Sequence, residues 1–150
     1  MKNILLTVLL LMIPIGSSSQ KPNVMIKDTV QETAIKEALE QFYFKGIYEG
    51  NTDLLKKVFY KDALVFGDIK GVPYSKTAEA YIEGVGSRIS PKESGKTFEA
   101  RILSIEIINT IASVKLNVKM YDYNYYNFIT FHLMNGQWLI VNKTLTDVAS

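Results

Sequence analysis

Thr130-Phe131-His132-Leu133-Met134-Asn135-Gly136-Gln137-Trp138-Leu139-Ile140-Val141 decides the fold class. Asn-Gly between two strand-like runs signals a two-residue hairpin turn, because both central residues need positive φ and Asn and Gly tolerate it best. A turn there pairs Leu133 with Trp138, His132 with Leu139, Phe131 with Ile140 and Thr130 with Val141. Upstream, Ala112, Val114, Leu116, Val118 and Met120 alternate with Ser113, Lys115, Asn117 and Lys119, the period-two pattern of a strand with one buried face. Before it, Phe98, Ala100 and Ile102 hold one phase and Leu103, Ile105 and Ile107 the other. A β-bulge near Ile102 reconciles the two and bends the sheet. The C-terminal half is therefore predicted to be three or four long antiparallel strands.

The N-terminal half follows a helical period instead. Thr29-Val30-Gln31-Glu32 has the form of a capping box. After it, Ala34, Ile35, Ala38, Leu39, Phe42, Tyr43, Gly46 and Ile47 recur at three- and four-residue spacing. Gly50-Asn51 ends that helix, and Asn51 or Thr52 caps a short second one over 53–58. A strand over 63–66, a turn started by Gly67-Asp68 and a third helix over 75–85 follow. Residues 87–95, with Pro91 and Gly95, read as an exposed loop.

The chain has 150 residues, a formal net charge of +2, one His and no Cys. This length suits one domain that can bury a core without cross-links. Lys and Arg are interleaved with Asp and Glu, so there is no electrostatic footprint for nucleic acid. Without Cys there is neither a disulfide framework nor a lipid-modified cysteine, and a lone His cannot assemble the usual transition-metal ligands. No Gly-rich loop after a strand points to a phosphate group. No metal and no cofactor are therefore expected.

Residues 1–19 have the tripartite form of a secretory signal: Lys2, an apolar run from Ile4 to Ile15 too short to span a bilayer, and Ser17-Ser18-Ser19 before Gln20. The expected organisation is a signal peptide over 1–19, a polar leader over 20–28 and a folded domain over 29–150. The destination is periplasmic or extracellular.

Two stretches carry a family likeness: Tyr48-Glu49-Gly50-Asn51-Thr52-Asp53-Leu54-Leu55 leading into Phe59-Tyr60-Lys61-Asp62-Ala63, and the closing Asn135-Gly136-Gln137-Trp138-Leu139-Ile140-Val141-Asn142-Lys143. On these the chain resembles the nuclear transport factor 2-like superfamily, whose fold is shared with ketosteroid isomerase and polyketide cyclases. Within it, the second stretch is most similar to the bacterial branch labelled "putative lumazine-binding". The resemblance covers about 29–145. It implies an α+β cone in which a curved antiparallel sheet wraps around the long N-terminal helix. Function does not follow from fold, because the superfamily holds isomerases, dehydratases and binding proteins alike.

On that fold, Phe42, Tyr43, Phe59, Phe66, Tyr81 and Trp138 come from different elements and are expected to line one cavity suited to a small planar or apolar ligand. A non-catalytic binding domain is the first reading. The alternative is an isomerase or dehydratase, with Asp68 or His132 as general base and Tyr43 as a hydroxyl donor. A third reading is an interaction module with a filled cone. Tyr121, Tyr123, Tyr125, Tyr126 and Phe128 crowd both faces of one strand, which predicts a second cover for the sheet, a homodimer.

Overall fold

The computed structural model describes residues 22–148, with side chains from residue 29; the expected signal segment lies outside the described residues. Helix α1, Pro22–Ala38, runs without a break into a π-helical turn, Leu39–Phe44, and on into α2, Lys45–Glu49. Thr29 is therefore inside the helix and does not cap it. Pro22 is tolerated at the first helical position, and nothing between it and Thr29 breaks a helix. The helix thus extends back into the expected leader, to Pro22.

The π turn has a geometric consequence. Ile35, Leu39, Tyr43 and Ile47 recur every fourth residue and are all buried. In a 3.6-residue helix a run of such spacings drifts around the axis, and one wider turn takes up the drift. Tyr43 sits in that turn. Gly50, at φ 67°, then ends α2, and Asn51 caps α3, Thr52–Val58, by accepting from the backbone N–H groups of Asp53 and Leu54.

Six strands follow: β1 Phe59–Ile69, β2 Val72–Thr77, β3 Phe98–Ile108, β4 Ile111–Met120, β5 Tyr123–Met134 and β6 Gln137–Asp147. They form one unclosed sheet in the order β2-β1-β6-β5-β4-β3. Every neighbouring pair is antiparallel except β1 and β6. Two short helices, α4 Ala78–Gly86 and α5 Pro91–Ser94, lie between β2 and β3. The helices cover the concave face, and the core fills the space between. Among the described residues no helix is long and apolar enough to cross a membrane.

Several local expectations are corrected. The strand expected over 63–66 spans Phe59–Ile69, and Gly67-Asp68 is inside it. The turn is Lys70-Gly71, which takes positive φ at both residues without the Asn-Gly signature. Residues 72–77 pair with β1 rather than starting a helix, and Thr77 caps α4 by accepting from Ala80 N–H. The segment 87–95 carries α5, fixed by a capping box between Ser90 and Glu93, with Ser90 and Pro91 buried.

The bulge expected near Ile102 is present, as a register shift between Ile102 and Ser104. Asn135 and Gly136 both take positive φ, and the three inner hairpin pairs form as read. The fourth does not. Thr130 pairs with Asn142, because Val141 is bulged out of the ladder.

Gly67 sets how closely β1 approaches β6. A Cβ at this position would lie 1.7 Å from the Leu145 carbonyl oxygen, a backbone atom that cannot yield unless the pairing opens. Gly67→Ala is expected to cost about 3 kcal/mol or more of folding stability, read from the urea midpoint. Gly71→Ala, with open space around it but φ 75°, should cost only about 1 kcal/mol. Equal losses at the two sites would remove the close approach as the reason for Gly67.

Candidate functional site

The Val141 bulge determines what faces the inside of the cone. Trp138 and Ile140 point inward, and strict alternation would send Lys143 outward with Leu139 and Val141. One extra residue reverses the phase, so Lys143 and Leu145 turn in. Lys143 is 5% exposed. Its Nζ donates to the Tyr81 hydroxyl at 3.1 Å and lies 4.4 Å from the Tyr81 ring centroid and 5.6 Å from that of Tyr43. Among the described residues no carboxylate pairs with it. An ammonium has three N–H donors, and this one meets a single protein acceptor.

Above Lys143 lies a cavity of about 50 Å³. The buried Tyr43, Tyr81 and Asn127 line it with Lys143, while the half-buried Ile69, Tyr74 and Tyr125 and the exposed Arg88 line its solvent side. Asn127 is 2% exposed, and its Nδ2 finds no protein acceptor. Arg88 is held loosely, against the Met120 sulfur at 3.7 Å and over the Tyr121 ring. No Asp or Glu lines this cavity. It therefore offers donors and positive charge, with flat aromatic walls.

The hydroxyls of Tyr43, Tyr74 and Tyr125 keep their protons. Burial, then the neighbouring Tyr81 and a hydrogen bond to it, hold Tyr43 well above the ordinary phenol range, with Arg88 opposing weakly. Burial raises Tyr74 and Tyr125 as well. These groups stay neutral.

Holding Lys143 here is costly. Taking an ammonium out of water costs several kcal/mol even after relaxation. A desolvated cation–π contact returns about 2 kcal/mol, and a hydrogen bond to a neutral hydroxyl about 1 kcal/mol. A fold shaped by stability alone would put an apolar side chain at this position.

Of the residues singled out from sequence, Tyr43 and Tyr81 line this cavity. Phe59 stands behind them, its ring 6.1 Å from Tyr43 and 5.6 Å from Tyr81, and borders a separate open groove between α3 and α4. Phe42 and Trp138 border another groove, beside Lys57, where Trp138 Nε1 donates to Gln31. Phe66 is 39% exposed on the convex face. Asp68 shares that face, accepting from the Thr146 hydroxyl, and His132 lies on it beside Leu139. Asp68 and His132 are thus on the far side of the sheet from Tyr43 and cannot act with it on one substrate.

Sequence reasoning misses Lys143, Asn127, Arg88 and Tyr74, and it assigns Tyr125 to the aromatic stretch expected to need a second cover, whereas Tyr125 lines the cavity. Two of them left a signal. Asn127 is in phase with the buried Ile129 and Phe131, and Lys143 is in phase with Leu145, which is itself out of phase with Trp138 and Ile140 and so marks a bulge between them.

The family described as "Putative lumazine-binding" matches residues 30–146. The chain belongs to this family. Solved structures agree on the fold. An NTF-2 like protein of unknown function from Silicibacter pomeroyi DSS-3 is 19% identical, with a TM-score of 0.73 over 81% of this chain and 98% of that one. An NTF2-like protein of unknown function from Shewanella baltica OS155 is 20% identical, with a TM-score of 0.72 over 81% and 97%. A third, from Methylobacillus flagellatus KT, is 21% identical, with a TM-score of 0.71 over 80% and 94%. No curated protein matches. At these identities the likeness establishes the nuclear transport factor 2-like cone and nothing further.

The raised phenols make a prediction for alkaline solution. Below about pH 10 the folded and unfolded tyrosines are both protonated, and their contribution is complete. Above that, the unfolded chain sheds protons that Tyr43 retains, so stability falls as pH rises towards the folded value, by up to about 1.4 kcal/mol per pH unit for this residue. Absorbance titration near 295 nm should show some of the nine tyrosines ionising only as the protein unfolds. A single transition at the ordinary phenol value with the fold intact would contradict this.

Proposed function

We propose that the protein is a small-molecule-binding domain whose ligand puts hydrogen-bond acceptors against Lys143 and Asn127 and a flat body between the tyrosines. The observation that carries this reading is the unmet donor capacity of two buried side chains in one cavity. Buried polar groups are nearly always satisfied, and a ligand acceptor is what this site lacks. The family description is consistent with it, since a pterin-like ring is planar and rich in acceptors. A cavity of about 50 Å³ holds only a few waters or the head of a ligand. A bicyclic molecule fits only with part of its body in the mouth, between Ile69, Tyr74 and Tyr125.

A thermal-shift panel of lumazine, flavin, steroid and fatty acid tests the proposal. A binder at about a hundredfold excess over Kd should raise the melting temperature by several degrees. Asn127→Leu, with the same branching and number of side-chain heavy atoms, should weaken that binder about tenfold. A panel without any shift, or an undiminished shift in the variant, would remove the site.

We further propose that the domain is exported and pairs with a second copy of itself through the convex face. Phe66, Thr144 and Phe128 form one row across β1, β6 and β5, and both phenylalanines are exposed. The protein recovered outside the cytoplasm should begin at Gln20 by intact mass. It should also sediment as a dimer at micromolar concentration, and Phe128→Lys should make it monomeric. A retained Met1 would contradict export, and a monomeric parent protein would contradict the dimer.

A further inference from the structure

The cavity has a sign as well as a shape. Lys143 at its floor and Arg88 at its mouth are cations, and no carboxylate lines the space between them, in a chain whose net charge is only +2. Fifteen acidic residues are available. Those in ion pairs among the described residues pair elsewhere: Glu32 with Lys36, Asp53 with Lys56, Asp62 with Lys61, Glu49 with Lys92, Asp122 with Lys96 and Glu99 with Arg101. Lys143 is the buried lysine among the described residues, and its ammonium meets two aromatic faces and one neutral hydroxyl but no anion. Aromatic faces attract a cation without neutralising it, so the field of Lys143 reaches the cavity unquenched.

Building on the binding reading above, we infer that the natural ligand is an anion, specifically a planar monocarboxylate, whose carboxylate sits against Lys143 and Asn127. Three observations select this class. One buried cation at the floor matches one negative charge and would leave the second charge of a phosphate dianion without a buried partner. Lys143 Nζ and Asn127 Nδ2 give a carboxylate's two oxygens one charged and one neutral donor. The small floor takes a three-atom head group, and the walls of Tyr43 and Tyr81, opening past Tyr74 and Tyr125, take a flat body. Arg88 at the exposed mouth adds a long-range attraction that speeds capture without gripping the head group.

The inference separates charge from shape, and isosteric probes test it. Isothermal titration of the full chain with benzoate and with benzamide, equal in size and differing in charge, should show benzoate binding at least tenfold tighter. Lys143→Met keeps an unbranched side chain one atom shorter and removes the charge. Its ligand-free form should be no less stable than the parent, because an unpaired buried cation has been replaced by an apolar group. In it the benzoate preference should vanish while benzamide affinity changes little. Asn127→Asp supplies an internal carboxylate to the same cavity and should abolish benzoate binding, so a second variant decides the matter should the first not fold. Arg88→Gln should weaken benzoate only two- to threefold and flatten its salt dependence. Equal affinity for the two probes, or a preference that survives both floor substitutions, would overturn the inference, as would inorganic phosphate binding more tightly than benzoate. Uncharged 1,3-dimethyllumazine distinguishes the two levels of the reading: if it binds and benzoate is not preferred, only the anion inference fails. If nothing binds, the site itself fails.

Discussion

One extra residue in β6 governs what this cone can do. β6 lies between β1, which carries the helical half of the chain, and β5, which begins the antiparallel meander. Its pairing therefore fixes how the two halves meet. Val141 drops out of the ladder, and every residue after it changes face. Without the bulge the interior would receive Asn142 and Thr144 and lose Leu145, and Lys143 would be on the surface. Gly67 completes the arrangement by letting β1 approach the Leu145 carbonyl closely enough to pair beyond the bulge.

The long helix answers the sheet from the other side. Its π turn keeps Leu39, Tyr43 and Ile47 aligned along the cone, so the Tyr43 ring meets the strand residues that the bulge turns inward. The result is a cluster in which a cation, two phenols and an unpaired amide share one small cavity. Such a cluster lowers stability, since neither the ammonium nor the Asn127 amide recovers what burial takes from it. Sites of this kind mark function because packing alone would not retain them. The aromatic stretch of β5 divides between two roles for the same geometric reason: Tyr125 faces the cavity, whereas Phe128 stands on the convex side.

Much of the fold was legible before any coordinates. Period-two alternation identifies β4, the phase change identifies the bulge in β3, and Asn135-Gly136 fixes the hairpin, because each is a local rule with one reading. β2 was hidden because Lys70-Gly71 lacks the usual hairpin signature and because Pro73 and Lys76 argue against a strand. It is an edge strand, where Pro is tolerated and one face is wet. The candidate site was legible in half. Tyr43 and Tyr81 are on strong helical stripes, so their inward direction follows from spacing. Phe66 and His132 are short-range guesses about strand parity, and in both cases parity led to the outer face.

The sequence by itself determined the class of structure: one α+β domain, a long helix packed on an antiparallel sheet, two inward tyrosines and no thiol chemistry. These follow from periodicity and composition, which are local. Only the tertiary structure decided the chemistry of the interior. A lysine in a strand with apolar residues on both parities can face either way, and whether it meets water or two aromatic rings depends on a register set by strands about eighty residues apart in sequence, β1 and β6. That register turned an ordinary surface charge into a buried, unneutralised one.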